Sequence, residues 1–142
     1  MKITRVEPIF LDKFLLVEIE TDEGIIGLGE SGSWGFLEAS GAAIEKFGRY
    51  LIGKDPLLIE HHWQYIYRSA FFRGGSVLMS ALAGIDQALW DISGKHYGVP
   101  SYNLMGGATR DKIRTYAHWG IGDLSEDGLE KARERLDWLQ KS

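Results

Sequence analysis

Residues 14–21, Phe-Leu-Leu-Val-Glu-Ile-Glu-Thr, place Leu15, Val17, Ile19 and Thr21 on one side of an extended chain and Leu16, Glu18 and Glu20 on the other. Further along, Leu78, Leu82, Ile85, Leu89 and Ile92 recur at spacings of 4, 3, 4 and 3. The first pattern has period two and fits a half-buried strand, whereas the second follows the helical repeat and fits a helix buried along one stripe. The period changes at about Phe36, with strand patterns before it and helical patterns after it. Such a chain must segregate a small sheet from its helices, which predicts the α+β class.

The strand region reads as an antiparallel three-stranded meander. Residues 2–10 are rich in β-branched and aromatic types, but Pro8 lacks a ladder donor, so an edge strand with a disrupted end is expected. Asp22-Glu23-Gly24 forms the turn into a strand over residues 25–30, with Gly24 supplying positive φ. Helices are expected over 37–52, with Leu37, Ala43, Ile44, Phe47 and Leu51 on its stripe and Gly53 at its end, and over 56–69, where Pro56 follows Asp55 as cap. The third, over 76–96, follows a Ser76 cap and must be largely buried. Gly98-Val99-Pro100 stops it, a helical turn runs from Pro100 to Met105, and Gly106-Gly107 marks a boundary. The expected division is 1–110 and 111–142. The second part carries a strand over Lys112 to Tyr116, a loop over Gly120 to Asp123, and a helix over Ser125 to Gln140 with Leu129, Ala132, Leu136 and Leu139 on its stripe. A strand plus a helix is half of a βαβ unit, and a lone strand leaves its backbone groups without partners.

Composition narrows the function classes. At 142 residues, 44% hydrophobic and 25% charged, the chain is of globular type, one domain or one domain with part of another. The 18 glycines are read as punctuation for tight turns. Zero cysteines exclude disulfides, thiolate metal sites and cysteine nucleophiles. A formal net charge of −4 argues against nucleic acid and anionic membrane surfaces as partners. No apolar run approaches the roughly 18–20 residues of a membrane span, and the polar and apolar alternation of residues 1–7 does not open a signal sequence, so a cytoplasmic location is expected.

Few motifs carry chemistry. Gly27-Leu28-Gly29-Glu30-Ser31-Gly32 satisfies the dinucleotide fingerprint literally, but its strand belongs to a hairpin and Glu30 would sit where phosphate belongs. His61 and His62 diverge by about 100° on a helix, and Asp86 and Asp91 by about 140°, so neither pair can chelate one ion. Asp91 and Lys95 read instead as an i,i+4 pair. Arg73, in a loop with Phe71, Phe72 and two glycines, is placed to reach a carboxylate or is a plain surface arginine. Trp34, in the glycine-rich stretch from Ser31 to Gly35, either plugs the domain's own core or closes over something. His118, at the end of the expected strand begun by Lys112, is a site candidate or a structural histidine.

Glu20 to Glu30 (ETDEGIIGLGE), Tyr50 to Pro56 (YLIGKDP), Ala81 to Lys95 (ALAGIDQALWDISGK) and Leu104 to Gly107 (LMGG) together resemble the amino-terminal capping domain of the mandelate racemase/muconate lactonizing branch of the enolase superfamily, over roughly residues 1–118. Within it, the blocks are most similar to acid-sugar dehydratases of the mannonate, gluconate and galactonate type. The resemblance implies a cap over a modified TIM barrel, Mg²⁺ bound to an acid-sugar carboxylate, a barrel base that takes the proton α to it, and loss of water through an enediolate. It also implies that the three acidic metal ligands and the bases lie on later barrel strands. Residues 111–142 would then be the first strand and helix of an incomplete barrel, which needs about 250 residues, and the chain alone would be inactive.

Carried over residue by residue, His118 matches a substrate-binding histidine at the end of the first barrel strand in the mannonate dehydratase-like group. Arg73 matches an arginine that follows a Tyr-Trp-Arg-Arg-like run, here Phe71-Phe72-Arg73-Gly74. Trp34 stands where that group often has a substrate-contacting asparagine, a departure that argues against mannonate itself. Leu11-Asp12-Lys13 matches a specificity loop, and its shortness suggests a roomier pocket or cover from another subunit. The resemblance further implies a homo-oligomer. A racemase or epimerase of the same family and a stand-alone, non-catalytic binding module are the alternative readings.

Overall fold

The computed structural model of the chain describes residues 1–116 and 126–141. Three antiparallel strands, β1 (Ile3–Leu11), β2 (Phe14–Thr21) and β3 (Ile26–Glu30), form one sheet in the order β1-β2-β3. Leu15, Val17, Ile19 and Thr21 of β2 are all buried, so the alternation in the sequence sets the inward face. Gly24 adopts φ 78° and its N–H donates to the Thr21 carbonyl at 3.1 Å, closing the β2–β3 turn. The Thr21 hydroxyl reinforces the turn, donating to the Ile25 carbonyl and accepting from the Ile25 N–H, each at 3.0 Å. β1 continues through Pro8, which pairs with Val17, rather than ending there. An edge strand has an unpaired side on which a missing donor costs nothing; the irregularity lies between Ile3 and Arg5 instead.

Four helices complete the first unit, Met1–Ala108: α1 (Leu37–Leu51), α2 (Ile59–Arg68), α3 (Ser76–Tyr97) and α4 (Ser101–Leu104). α3 contributes Leu82, Ile85, Leu89 and Ile92 of its expected stripe to the core, together with Ala81 and Ala88. It crosses β3 at backbone distance. A Cβ added to Gly29 would lie 2.0 Å from the Gly84 carbonyl oxygen, and one added to Gly27 would lie 2.1 Å from that of Ala88. The motif that mimics a nucleotide fingerprint is therefore a packing seam. α3 also completes the free edge of β3: the Leu28 N–H donates to Asp91 Oδ2 at 2.9 Å and the Glu30 N–H to Gln87 Oε1 at 3.1 Å, while Lys95 Nζ donates to the Ile26 carbonyl at 2.7 Å. Four residues of helix rise about 6 Å and two residues of strand about 6.8 Å, so the i, i+4 ladder of side chains keeps step with the strand.

α1 packs on β1 through a second small-residue seam, with Gly41 facing the Phe10 ring and Gly48 facing Val6. Glycines in this chain thus serve close approach as well as turns, a role that the punctuation reading omitted. Two helix starts also differ from expectation. α2 begins at Ile59 because the Asp55 carboxylate accepts the Leu57 N–H at 2.9 Å and holds residues 55–58 in a separate turn. α3 is capped by Gly75, at φ 85°, and Ser76 lies inside the first turn with no side-chain cap. At its other end Gly98 takes the left-handed conformation, and the Val99 N–H reaches the Gly94 carbonyl at 2.9 Å.

The second unit spans Thr109–Ser142 and contains α5 (Glu126–Lys141). Lys112–Tyr116 is not a strand. Residues 112–116 have no neighbouring strand in the described structure, and β-branched composition without a ladder partner does not hold an extended segment in a sheet. The expected loop over Gly120 to Asp123 lies outside the described residues. On α5 the stripe residues Leu129 and Leu136 are exposed. Among the described residues no helix is long and apolar enough to cross a membrane.

The seam makes a testable demand. Gly29→Ala should lower the unfolding free energy by about 2 kcal/mol or more, because the α3 backbone at Gly84 and Ala88 leaves its methyl no room. Gly32→Ala, with nothing within 4 Å of its added Cβ, should change it by less than about 0.5 kcal/mol. Chemical denaturation of both variants checks this, and equal effects would refute the seam.

Candidate functional site

Three connecting segments converge at one end of the first unit. The β1–β2 turn is Asp12-Lys13, with Asp12 at φ 50°. The stretch after β3 is tied alongside β2 by the Ser31 N–H, which donates to the Leu15 carbonyl at 2.8 Å. The start of α1 is tied to the first turn of α3, and so to the loop before it, by the Ser40 hydroxyl, which donates to the Val77 carbonyl at 3.3 Å. Large apolar side chains stand bare here: Trp34 is 71% exposed, Phe71 93% and Phe72 84%, with Phe10, Phe14 and Phe36 also exposed. The Phe71 and Phe72 rings meet edge to face, their centroids 5.3 Å apart. Large apolar side chains left this exposed mark a contact face rather than a core.

Trp34 therefore does not plug the domain's core. With Lys13, Gly35, Leu37 and Glu38 it lines a shallow depression of about 380 Å³. The structure brings Lys13 and Trp34 together and leaves Asp12 in the adjoining turn. Arg73, in the loop before α3 at this same end, does not line that depression: with Phe72 and Lys46 it lines a separate, mostly apolar cavity of about 300 Å³ between α1, α2 and α3. Lys46 was not singled out from the sequence, where it reads as one more charge on the wet side of α1. His118 lies outside the described residues.

One member of each titratable pair, His62 and Asp91, takes a structural role. His62 is buried, 1% exposed, with Nε2 donating to the Asp55 carbonyl at 2.8 Å and Nδ1 accepting from the Tyr50 hydroxyl at 3.1 Å. Burial pushes its pKa below 6.5, although the bond to Asp55 pulls the other way. Asp91 is spent on the Leu28 N–H and on Lys95 at 2.7 Å. Asp86 faces a different cleft, beside Glu60, Trp63 and Trp90, and burial first and the Glu60 charge second raise its pKa. On β1 the Arg5 guanidinium bridges Glu7, Glu18 and Glu20, and its hydrogen bond holds the Glu20 carboxyl below the usual range. Ser31 Oγ is buried without a hydrogen-bond partner among the described residues. Among the described residues no three His, Cys, Asp or Glu side chains gather to hold a metal ion.

Two outcomes follow. Trp34→Ala should change the unfolding free energy by less than about 0.5 kcal/mol, since the ring is bare; a loss comparable to a core truncation would mean that the ring is part of the core. The second concerns pH. Because the folded state disfavours protonated His62 and the unfolded state protonates near pH 6.5, the unfolded chain binds more protons as pH falls through about 6.5. Stability should decline below that pH, and His62→Gln should flatten the decline in melts from pH 7.5 to 5; an unchanged slope would assign it to other groups.

Residues 5–106 match the family model of the mandelate racemase / muconate lactonizing enzyme N-terminal domain. Proteins named D-galactonate dehydratase, from Verminephrobacter eiseniae and from Variovorax paradoxus, are each 49% identical over 96% of this chain. The chain spans 36% of the length of each. A crystal structure of a member of the enolase superfamily from Salmonella Typhimurium superposes with a TM-score of 0.78 at 39% identity, covering 85% of this chain and 34% of that one. One of an enolase from Pantoea ananatis with bound D-gluconate and Mg gives 0.79 at 38% identity, covering 96% and 34%. The match over residues 5–106, together with the superposition on enolase-superfamily structures at 38–39% identity, makes this chain a member of the mandelate racemase/muconate lactonizing enzyme family of the enolase superfamily, represented by its amino-terminal domain.

Proposed function

We propose that this chain is the substrate-capping part of a magnesium-dependent, acid-sugar dehydratase-like enzyme. The observation that carries the reading is the bare loop end, where Lys13 and Trp34 line one depression on a chain 49% identical to proteins named D-galactonate dehydratase. In this reading Asp12, Lys13 and Trp34 cover the sugar, Lys13 offering an ammonium to its carboxylate or hydroxyls and Trp34 excluding water. Arg73 and His118 are further substrate contacts, on the resemblance alone. The Pantoea relative's bound D-gluconate and Mg support the ligand class.

The reaction would remove the proton α to the carboxylate and then expel the neighbouring hydroxyl as water, giving a 2-keto-3-deoxy acid. The described residues do not fit a magnesium site, so the metal and the bases are assigned to a barrel domain, as are residues 111–142 with helix α5. This chain's part is to bind, orient and exclude water.

Purified chain incubated with Mg²⁺ and D-galactonate or D-gluconate should yield no 2-keto-3-deoxy acid in a colorimetric assay, and measurable product would overturn the capping reading. The reading frame past Ser142 should encode three acidic residues on successive strands. A stop codon directly after it would favour a stand-alone binding module.

A further inference from the structure

The cavity between α1, α2 and α3 combines two features that belong together chemically. Its floor is core: Ile66 and Leu82 are buried, with Phe47 and Met79 on the sides. Its mouth carries Lys46 and Arg73, and none of its lining residues is a carboxylate. Neither cation forms an ion pair among the described residues; the basic groups that do are the chain amino terminus, Arg5 and Lys95. Two cations on different elements that line one apolar hole, with no counter-charge for either among the described residues, leave both an apolar volume and an anion position unfilled.

We propose that this cavity is a binding site for a small monocarboxylate with an apolar body, of the aryl-acetate kind, with its ring between Phe47, Met79 and Leu82 and its carboxylate between Lys46 and Arg73. The volume of about 300 Å³ stands at the lower end of small-molecule sites and suits a single ring with a short acid arm. Charge complementarity sets the head group: a guanidinium fork and an ammonium together satisfy both oxygens of a carboxylate. The walls set the body: apart from the Tyr67 and Ser69 hydroxyls and the two cations the lining is apolar, so a polyhydroxylated acid would bury most of its hydroxyls without partners. The site is therefore distinct in chemistry from the acid-sugar reading and does not rest on it. Arg73 is the one residue common to both.

The test is a titration of the 142-residue chain with sodium phenylacetate, followed by calorimetry and by NMR shifts, with benzyl alcohol and D-galactonate as comparators. Phenylacetate should bind saturably and at least about tenfold tighter than either benzyl alcohol or D-galactonate, one tenfold step being 1.4 kcal/mol. Arg73→Gln and Lys46→Gln, both at exposed positions, should each weaken phenylacetate binding several-fold and leave benzyl alcohol unchanged. Ala42→Trp, at the exposed rim of the cavity, should block both. Absence of saturable binding, or equal affinity in the charge variants, would overturn the proposal. So would D-galactonate binding as tightly as phenylacetate, or a second copy occupying the site, seen as a concentration-dependent dimer that phenylacetate does not dissolve.

Discussion

Backbone-to-backbone approach between β3 and α3 is the contact on which the other elements depend. Gly27 and Gly29 on the strand meet the carbonyls of Ala88 and Gly84 on the helix, so the two elements sit closer than any pair of side chains would allow. That closeness brings Gln87, Asp91 and Lys95 within reach of the strand's outer edge, where they bond groups that a third neighbour would otherwise have to supply. A three-stranded sheet with one edge finished by a helix has no need of a further strand there. The remaining core, from Ile3 across to Ile66, fills in around this fixed pair.

The same contact decides where the loops end up. Because the strand and helix numbers run in opposite senses along the ladder, the amino terminus of α3 projects past the end of β3. The loop before α3, the stretch after β3 and the β1–β2 turn are thereby gathered at one end. There the chain leaves Trp34, Phe36, Phe71 and Phe72 largely exposed, rings that burial in its own core would have stabilised. A fold that holds its apolar loops outward, while Leu15, Ile44 and Ile85 are sealed inside, presents a contact face, in keeping with a cap.

Much of this fold was legible in the residues. The β2 alternation and the α3 stripe each have a single geometric solution, and Gly24, Gly53 and Gly98 fall where turns and helix ends require positive φ. The failures share a cause. The Pro8 break, the Asp55 and Ser76 caps and the Lys112–Tyr116 strand were all argued from local preference, and in each case a neighbour, or the lack of one, decided otherwise. In the candidate site, the exposure of Trp34 and its meeting with Lys13 depend on how two loops are held. The separation of Arg73 from them depends on helix packing, and Lys46 gave no signal because a lysine on a wet helix face is ordinary until a cavity opens beside it.

The sequence by itself determined the class, the order of elements and the inward faces, because hydrophobic period is a local property that each segment carries alone. It also carried the family, through blocks whose spacing survives in the match over residues 5–106. Only the tertiary structure decided what the glycines at 27, 29, 41, 48 and 84 are for, since absence of a Cβ has no meaning until another chain segment stands where that Cβ would be. Only it decided which charged side chains share a cavity, because Lys46 and Arg73 become neighbours through the packing of three helices and not through any spacing along the chain.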